Sequence, residues 1–365
     1  MHPKISSVQA KKWVLFFSCL IFSIGALSRD VRLHNLLINY TSDKEFKASN
    51  LLCGELTRCT RLGGELLGLG VQDLFYYVAQ LFHGNPLWQN FYLTDKQYYS
   101  IFSGFSSIAF RVMCLIPITL YFNKLLKENI SAKILTTLAL TSIFSGFPLY
   151  YLNNLFGIYL VNYDYMVIFV LGLFLNFCDQ ILKSNVLLVF FTILSTMTME
   201  NLGLVLIFVI YFLNKRLYKR IKLASLIVFS TLLTYLILLA AVVLKNGYIP
   251  DNQSDGRYGY LNREKLPEIL GAMAIIVFWS FALGYLVGQI GFMSFSTSEL
   301  KTFYDDISPN KLYGLIIGFL FSFVVGLFVS ITTEFARQFL PLQFIVFFFG
   351  LSSRINRLIN LKKIS

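Results

Sequence analysis

The chain is expected to fold as an all-α, polytopic integral membrane bundle of about ten transmembrane helices, with interfacial helices in a large first outer loop. Three observations carry that expectation. Hydrophobic residues fill 56% of the 365 positions, aromatic residues 17% and charged residues only 14%, and the mean hydropathy is +0.65. An ordinary soluble globule is about one-quarter charged. Apolar runs recur at 13–27, 101–122, 134–152, 165–178, 186–198, 202–213, 223–244, 268–293, 312–331 and 339–352. The formal net charge of +12 sits mostly in short connections between those runs. This is the positive-inside pattern, so the charge is an orientation signal and no nucleic-acid partner is expected.

The elements follow in order within a single membrane domain, 1–365. Residues 1–12 are short and basic and 13–27 are apolar, which resembles a secretory signal but reads as a retained first helix. Starting inside, alternation places 1–12, 123–133, 179–185, 214–222, 294–311 and 353–365 in the cytoplasm, together with both termini. The outer loop 28–100 is too long for an ordinary connector. Helix-like spacing over 51–69 and 71–82, with Gly63, Gly64, Gly68 and Gly70 as breaks, predicts surface-lying helices there. A small packed cap without further role is the alternative. A second outer loop spans 246–267, and most acids fall on the outer side, which is where chemistry is expected.

The stretch 186–213 is apolar except for Thr192, Ser195, Thr196, Thr198, Glu200 and Asn201, and it has basic residues at both ends. If both ends are cytoplasmic, the chain enters and returns as two short helices turning at Met199, Glu200 and Asn201. That hairpin puts Glu200 in a protein-lined cavity; one long tilted helix is the alternative. An acid within a membrane segment is costly enough to be read as functional.

Five further charged residues are candidates. Arg111 lies inside the run 101–122, where a guanidinium needs a cavity or a partner, and Glu200 is its natural counter-charge. Asp73 begins the aromatic stretch Asp73-Leu-Phe-Tyr-Tyr that ends at His83-Gly84-Asn85-Pro86. It is either a helix first-turn acid favoured by the backbone dipole or a carboxylate beneath aromatics that stack on a sugar. Asp30, between Arg29 and Arg32, is an interfacial ion pair or a rival acid for that role. Glu334 and Arg337 are three apart and share a helical face. A guanidinium at that depth grips phosphate in bidentate fashion, or it pairs with its neighbour and snorkels. Asp164 is a weaker candidate, and Asp305 and Asp306 read as a solvated cytoplasmic turn.

The remaining sequence signals narrow the chemistry. His2, His34 and His83 are scattered, the cysteines lack zinc spacing, and no Gly-rich phosphate loop is present. No metal site and no cofactor are expected, with divalent metal assistance left open. Cys53 and Cys59 could pair if their loop faces an oxidising compartment. Cys19, Cys114 and Cys178 lie in apolar segments as small hydrophobes.

The Asp73–Pro86 stretch resembles an Asp-x-x-Tyr-Tyr and Gly-x-Pro pattern. With the large first loop, the short helices around Thr198-Met-Glu-Asn201 and the stretch Glu334-Phe-Ala-Arg337-Gln-Phe-Leu-Pro341, the chain looks like a C-type membrane glycosyltransferase. The resemblance implies transfer of a sugar from a polyprenyl-phosphate donor to a glycan or lipid acceptor on the outer face. It implies Asp73 or Asp30 acting on the acceptor hydroxyl, and Arg337, Glu334, Glu200 and Arg111 around the lipid phosphate. The implied partners are membrane lipid, the lipid-linked donor and the acceptor. Two other classes stay open, a polysaccharide polymerase or ligase and a lipid-linked glycan transporter or flippase.

Overall fold

The computed structural model describes residues 62–83, 95–126, 129–145, 165–198, 202–214, 216–247, 266–329 and 332–364. The described elements are all α-helices: α1 Leu62–Phe82, α2 Asp95–Leu125, α3 Ile130–Ser145, α4 Tyr165–Lys183, α5 Asn185–Thr198 and α6 Leu202–Leu213. They continue as α7 Leu217–Asn246, α8 Leu266–Phe292, α9 Thr297–Ile307, α10 Pro309–Val329 and α11 Thr332–Ile364. Four segments among them are long and apolar enough to cross a membrane: Tyr165–Lys183, Leu217–Ala241, Met273–Phe292 and Pro341–Lys363. An all-helical solution is what a bilayer demands, because each backbone group must be satisfied within its own segment.

Residue pairs give the relative directions of the helices. Arg111 meets Tyr165, and Pro117 meets Gly172, so α2 and α4 run parallel. Tyr285 meets Arg354 and the Met293 carbonyl meets Lys362, so α8 and α11 also run parallel. By contrast Val205 lies against Gly318 and Val209 against Gly314, which makes α6 and α10 antiparallel. The Asn129 amide donates to the Gly291 carbonyl at 2.8 Å and thereby ties the α2–α3 connection to the end of α8. The ends of α2, α4, α8 and α11 and the starts of α3 and α10 therefore gather at one end of the bundle. That end carries Lys124, Lys133, Lys183, Lys311, Lys362 and Lys363.

Close approach depends on glycine. A Cβ on Gly284 would strike the Phe347 carbonyl oxygen, and one on Gly350 would strike the Phe281 carbonyl oxygen, so α8 and α11 meet backbone to backbone. On α10, Gly314 and Gly318 form a small-xxx-small pair seated on α6, where a Cβ would lie 2.5 Å from Val209 Cα and 2.7 Å from Val205 Cγ1. α11 is the central helix: 72% of an 18-residue stretch within Pro341–Lys363 is buried, against 33% for the corresponding stretches of α7 and α8. Phe344, Phe347 and Phe348 on α11 fill the core, and Tyr121 on α2 packs edge-on to Phe348 with centroids 5.5 Å apart.

Three local features differ from the sequence expectation. Helix α1 is continuous from Leu62 through Gly63, Gly64, Gly68 and Gly70, where glycine breaks were expected. A helix-interior glycine costs only about 1 kcal/mol, and most of the other residues of this 21-residue helix are good helix formers, so the glycines weaken it without ending it. Helix α11 likewise runs unbroken from Thr332, across the gap between the apolar runs 312–331 and 339–352. The segment 294–311 contains an amphipathic helix, α9, that buries Leu300, Phe303 and Ile307 and exposes Asp305 and Asp306. A capping box starts α9, with Ser296 and Glu299 satisfying each other's backbone N–H groups. Ser308, in the left-handed region at φ 52°, ends it one residue before Pro309 opens α10.

Candidate functional site

Arg111 is 1% exposed on α2, and its guanidinium carbon stands 5.0 Å from the centre of the Tyr165 ring. Tyr165 is the first residue of α4 and is equally buried. A desolvated cation over a ring face is worth about 2 kcal/mol, part of what offsets taking a guanidinium out of water. The position is set from below. Pro117 removes one backbone donor from α2, and Gly172 provides the gap into which Pro117 fits. The Asn176 amide nitrogen lies 2.7 Å from both the Pro117 and the Gly172 carbonyl oxygens. This polar clamp locks α2 on α4 one to two turns below Arg111, between Arg111 and the basic end.

Helices α5 and α6 form the neighbouring wall. A continuous helix would separate Thr192 from Gly203 by about 16 Å, yet a Cβ on Gly203 would lie 3.4 Å from Thr192 Cγ2 and 2.9 Å from Thr196 Oγ1. The start of α6 therefore packs back along α5, and the two are separate, adjacent helices. Helix α5 leaves the basic end directly after Lys183, and α6, antiparallel to α10, returns to it. Their 14 and 12 residues span about 21 and 18 Å, short of a bilayer core of about 30 Å. Thr192, Ser195, Thr196 and Thr198 donate their hydroxyls to the carbonyl four residues back, at 2.7–2.8 Å. These bonds make the polar stripe compatible with burial. Thr231 on α7 faces Gly203, and its hydroxyl is buried without a hydrogen-bond partner.

An apolar groove of about 310 Å³ runs between α5 and α7, lined by Val189, Ile193, Met197, Leu226, Leu233 and Ile237 among others. Two hydroxyls in its wall are already committed, Ser230 to the Leu226 carbonyl at 2.8 Å and Thr234 to the Ser230 carbonyl at 2.7 Å. The groove therefore presents carbon, and Met197 brings it close to the turn between α5 and α6.

The predicted residues are distributed as follows. Asp30 and Glu200 lie outside the described residues, as do Cys53, Cys59 and Asp164. Asp73 is on α1, which packs on α2, α4 and α5 and so adjoins the walls just described. Glu334 and Arg337 are on the first turns of α11. Register relates Arg337 to Arg111. Tyr121 and Phe348 are level, and both helices run toward the basic end, so ten or eleven residues back along each gives about 15 Å. Arg111 and Arg337 thus occupy similar depths in the bundle. Among the described residues no group of three or more His, Cys, Asp or Glu converges as a metal site would.

Sequence reasoning missed Tyr165, Asn176 and the Gly314/Gly318 pair. The glycine pair had a legible signal, Gly-Leu-Ile-Ile-Gly within an apolar run. Tyr165 and Asn176 had none, because each matters through a partner on another helix. No protein family, curated protein or solved structure matches this chain.

Proposed function

We propose that the chain is a membrane glycosyltransferase that moves a sugar from a polyprenyl-phosphate donor to an acceptor on the outer face. The observation that carries the reading is the buried Arg111 on Tyr165, about 20 Å along α2 from its basic end and next to the wall formed by α5 and α6. The proposal includes the finer topology: ten membrane segments, both termini cytoplasmic, and residues 28–100 outside.

In the reaction a carboxylate, Asp73 or Asp30, takes the proton from an acceptor hydroxyl as its oxygen attacks the anomeric carbon. The bond from that carbon to the phosphate oxygen breaks, and its electron pair leaves with polyprenyl phosphate. Arg337 and Arg111 bind the charge that grows on the phosphate, where electrostatic stabilisation is most effective. Glu200 holds a sugar hydroxyl or fixes Arg111. The groove between α5 and α7 suits an isoprenoid chain by its carbon lining.

The test is release of polyprenyl phosphate from synthetic polyprenyl-phosphate sugars by the purified protein. Wild type is expected to turn over and Arg337→Ala to be inactive while still folded. Undiminished release by Arg337→Ala refutes the role given to it. The turn between α5 and α6 favours a second reading, a transporter of lipid-linked glycan. Transbilayer movement of the lipid-linked sugar in proteoliposomes, without release of polyprenyl phosphate, would select that reading.

A further inference from the structure

Away from the Arg111 region, α11 and α8 build a second cationic feature. Arg354 Nη1 donates to the Tyr285 hydroxyl at 3.2 Å, and Arg357 Nη1 donates to the same oxygen at 3.1 Å. Two guanidiniums, one turn apart on α11, thus converge on a single neutral acceptor. The acceptor is held in place. Phe281 stacks on one side of the Tyr285 ring with centroids 6.2 Å apart, and the Arg354 guanidinium carbon stands 5.2 Å from the ring centre. Gly288 makes room for this, since its bare backbone lets the Arg354 stem lie across α8; a Cβ there would sit 2.9 Å from Arg354 Cβ.

Among the described residues nothing neutralises either arginine. A tyrosine oxygen has two lone pairs, and each guanidinium has five donors in a planar fork. The shared tyrosine oxygen therefore leaves most of those donors unspent, and Arg354 Nε is buried with no hydrogen-bond partner. Among the described residues no carboxylate lies within ion-pair distance of either group. Like charges held within a few ångströms of one another, one of them half-buried, call for an anion with several acceptor oxygens. The planar fork fits phosphate in bidentate fashion.

The surroundings give the source of the phosphate. Tyr285 lies beside an exposed apolar stripe on α8, formed by Ile275, Phe278, Leu286, Ile290 and Met293 at helical spacing. Such a face borders hydrocarbon in a membrane-spanning helix. Arg357 is exposed, and Arg354 is half-buried behind it. We propose that Arg354, Arg357 and Tyr285 form a binding site for the phosphate of an anionic membrane phospholipid, with its acyl chains along the α8 stripe. The site is at the basic end and does not depend on the glycosyltransferase reading.

The test uses the full-length protein in detergent, with thermal unfolding followed during separate titrations of phosphatidylglycerol, phosphatidylcholine and inorganic phosphate. Phosphatidylglycerol is expected to raise the melting temperature saturably and phosphatidylcholine to have little effect. Losing one charge-assisted contact in Arg357→Gln should move the phosphatidylglycerol midpoint by about tenfold or more. Arg357 is exposed, so this variant is expected to fold. Lys219→Gln/Lys222→Gln, which removes two exposed cations elsewhere, should leave the midpoint in place and so exclude a general charge effect. Equal stabilisation by the two phospholipids in wild type overturns the proposal. So does an unchanged midpoint in Arg357→Gln, or an equal loss in the lysine variant. Saturation by inorganic phosphate at comparable concentration would keep the phosphate chemistry but overturn the lipid as its source.

Discussion

Replacing Gly314 with alanine tests the packing that holds the second leg of the α5–α6 hairpin. The added Cβ would stand 2.5 Å from Val209 Cα, 2.9 Å from Val209 N and 3.0 Å from the Phe208 carbonyl oxygen. Ordinary carbon contacts begin near 3.5 Å, so α6 must retreat from α10 by about 1 Å. All three atoms are backbone, and none can swing aside as a side-chain tip would. Overpacking of this kind costs about 1–3 kcal/mol, and the better helix propensity of alanine returns up to about 1 kcal/mol. Against an alanine control at an open helical position, which shares the propensity gain, the expected loss is about 1–3 kcal/mol. Gly318→Ala meets the same helix one turn on, with a Cβ 2.7 Å from Val205 Cγ1 and 2.9 Å from the Val205 carbonyl oxygen. Once α6 has moved for the first substitution, the second costs less, so the pair should be sub-additive. Gly271→Ala is the control, because a Cβ there meets nothing within 4 Å. Reversible unfolding in mixed micelles, titrated with a denaturing detergent, reads the wild type, the two single variants, the double variant and the control. A Gly314→Ala protein as stable as the Gly271→Ala control would refute the claim that α6 and α10 pack backbone to backbone.

Three further outcomes follow from the same geometry. Asn176→Leu deprives the Pro117 carbonyl of its partner from α4 and should destabilise by about 0.6–1.7 kcal/mol, the range of interhelical hydrogen bonds in membranes; an unchanged unfolding midpoint would count against the clamp. Arg111→Lys and Tyr165→Leu should each destabilise, and the double variant should fall short of their sum by up to about 2 kcal/mol; strict additivity in that cycle would mean that the stacked pair contributes nothing. The Glu299 carboxyl is held below its ordinary range by the Ser296 hydroxyl and then by the Ser296 backbone N–H. A lowered carboxyl pKa makes its contribution complete above the unfolded value and lost as pH falls through the folded one. Amide protection of α9, corrected for intrinsic exchange, should therefore drop toward acid pH in wild type and be flat with pH in Glu299→Gln. A wild-type profile as flat as the variant's would remove Glu299 from the cap.

Much of the architecture was legible in one dimension because the bilayer makes it so. Hydrocarbon admits only segments that satisfy their own backbone, so apolar run length and basic flanks mark helices without reference to any partner. The run 165–178 became α4, and 223–244 became the body of α7, for that reason. Asp305 and Asp306 were correctly read as exposed, but the helix around them was not expected: Leu300, Phe303 and Ile307 bury only against neighbouring helices, and that period is easily lost between polar residues. Glycines were read as breaks in 62–82 because local propensity says so, but about 1 kcal/mol per glycine does not end a helix whose other residues favour it.

The candidate site divides in the same way. Arg111 could be singled out from sequence, since a charge within an apolar run is visible wherever it points. What it points at could not be read, because Tyr165 is 54 residues away and ordinary by composition. The sequence by itself determined an all-helical membrane chain, the positions of its basic connections and the presence of buried charge. The tertiary structure alone decided that Arg111 stacks on Tyr165, that α6 packs back on α5 at Gly203, and that Arg354 and Arg357 meet at Tyr285. Hydropathy is a sum over single residues and needs no neighbour. Each of those contacts is set by crossing and register between helices, which depend on where glycines let two backbones approach.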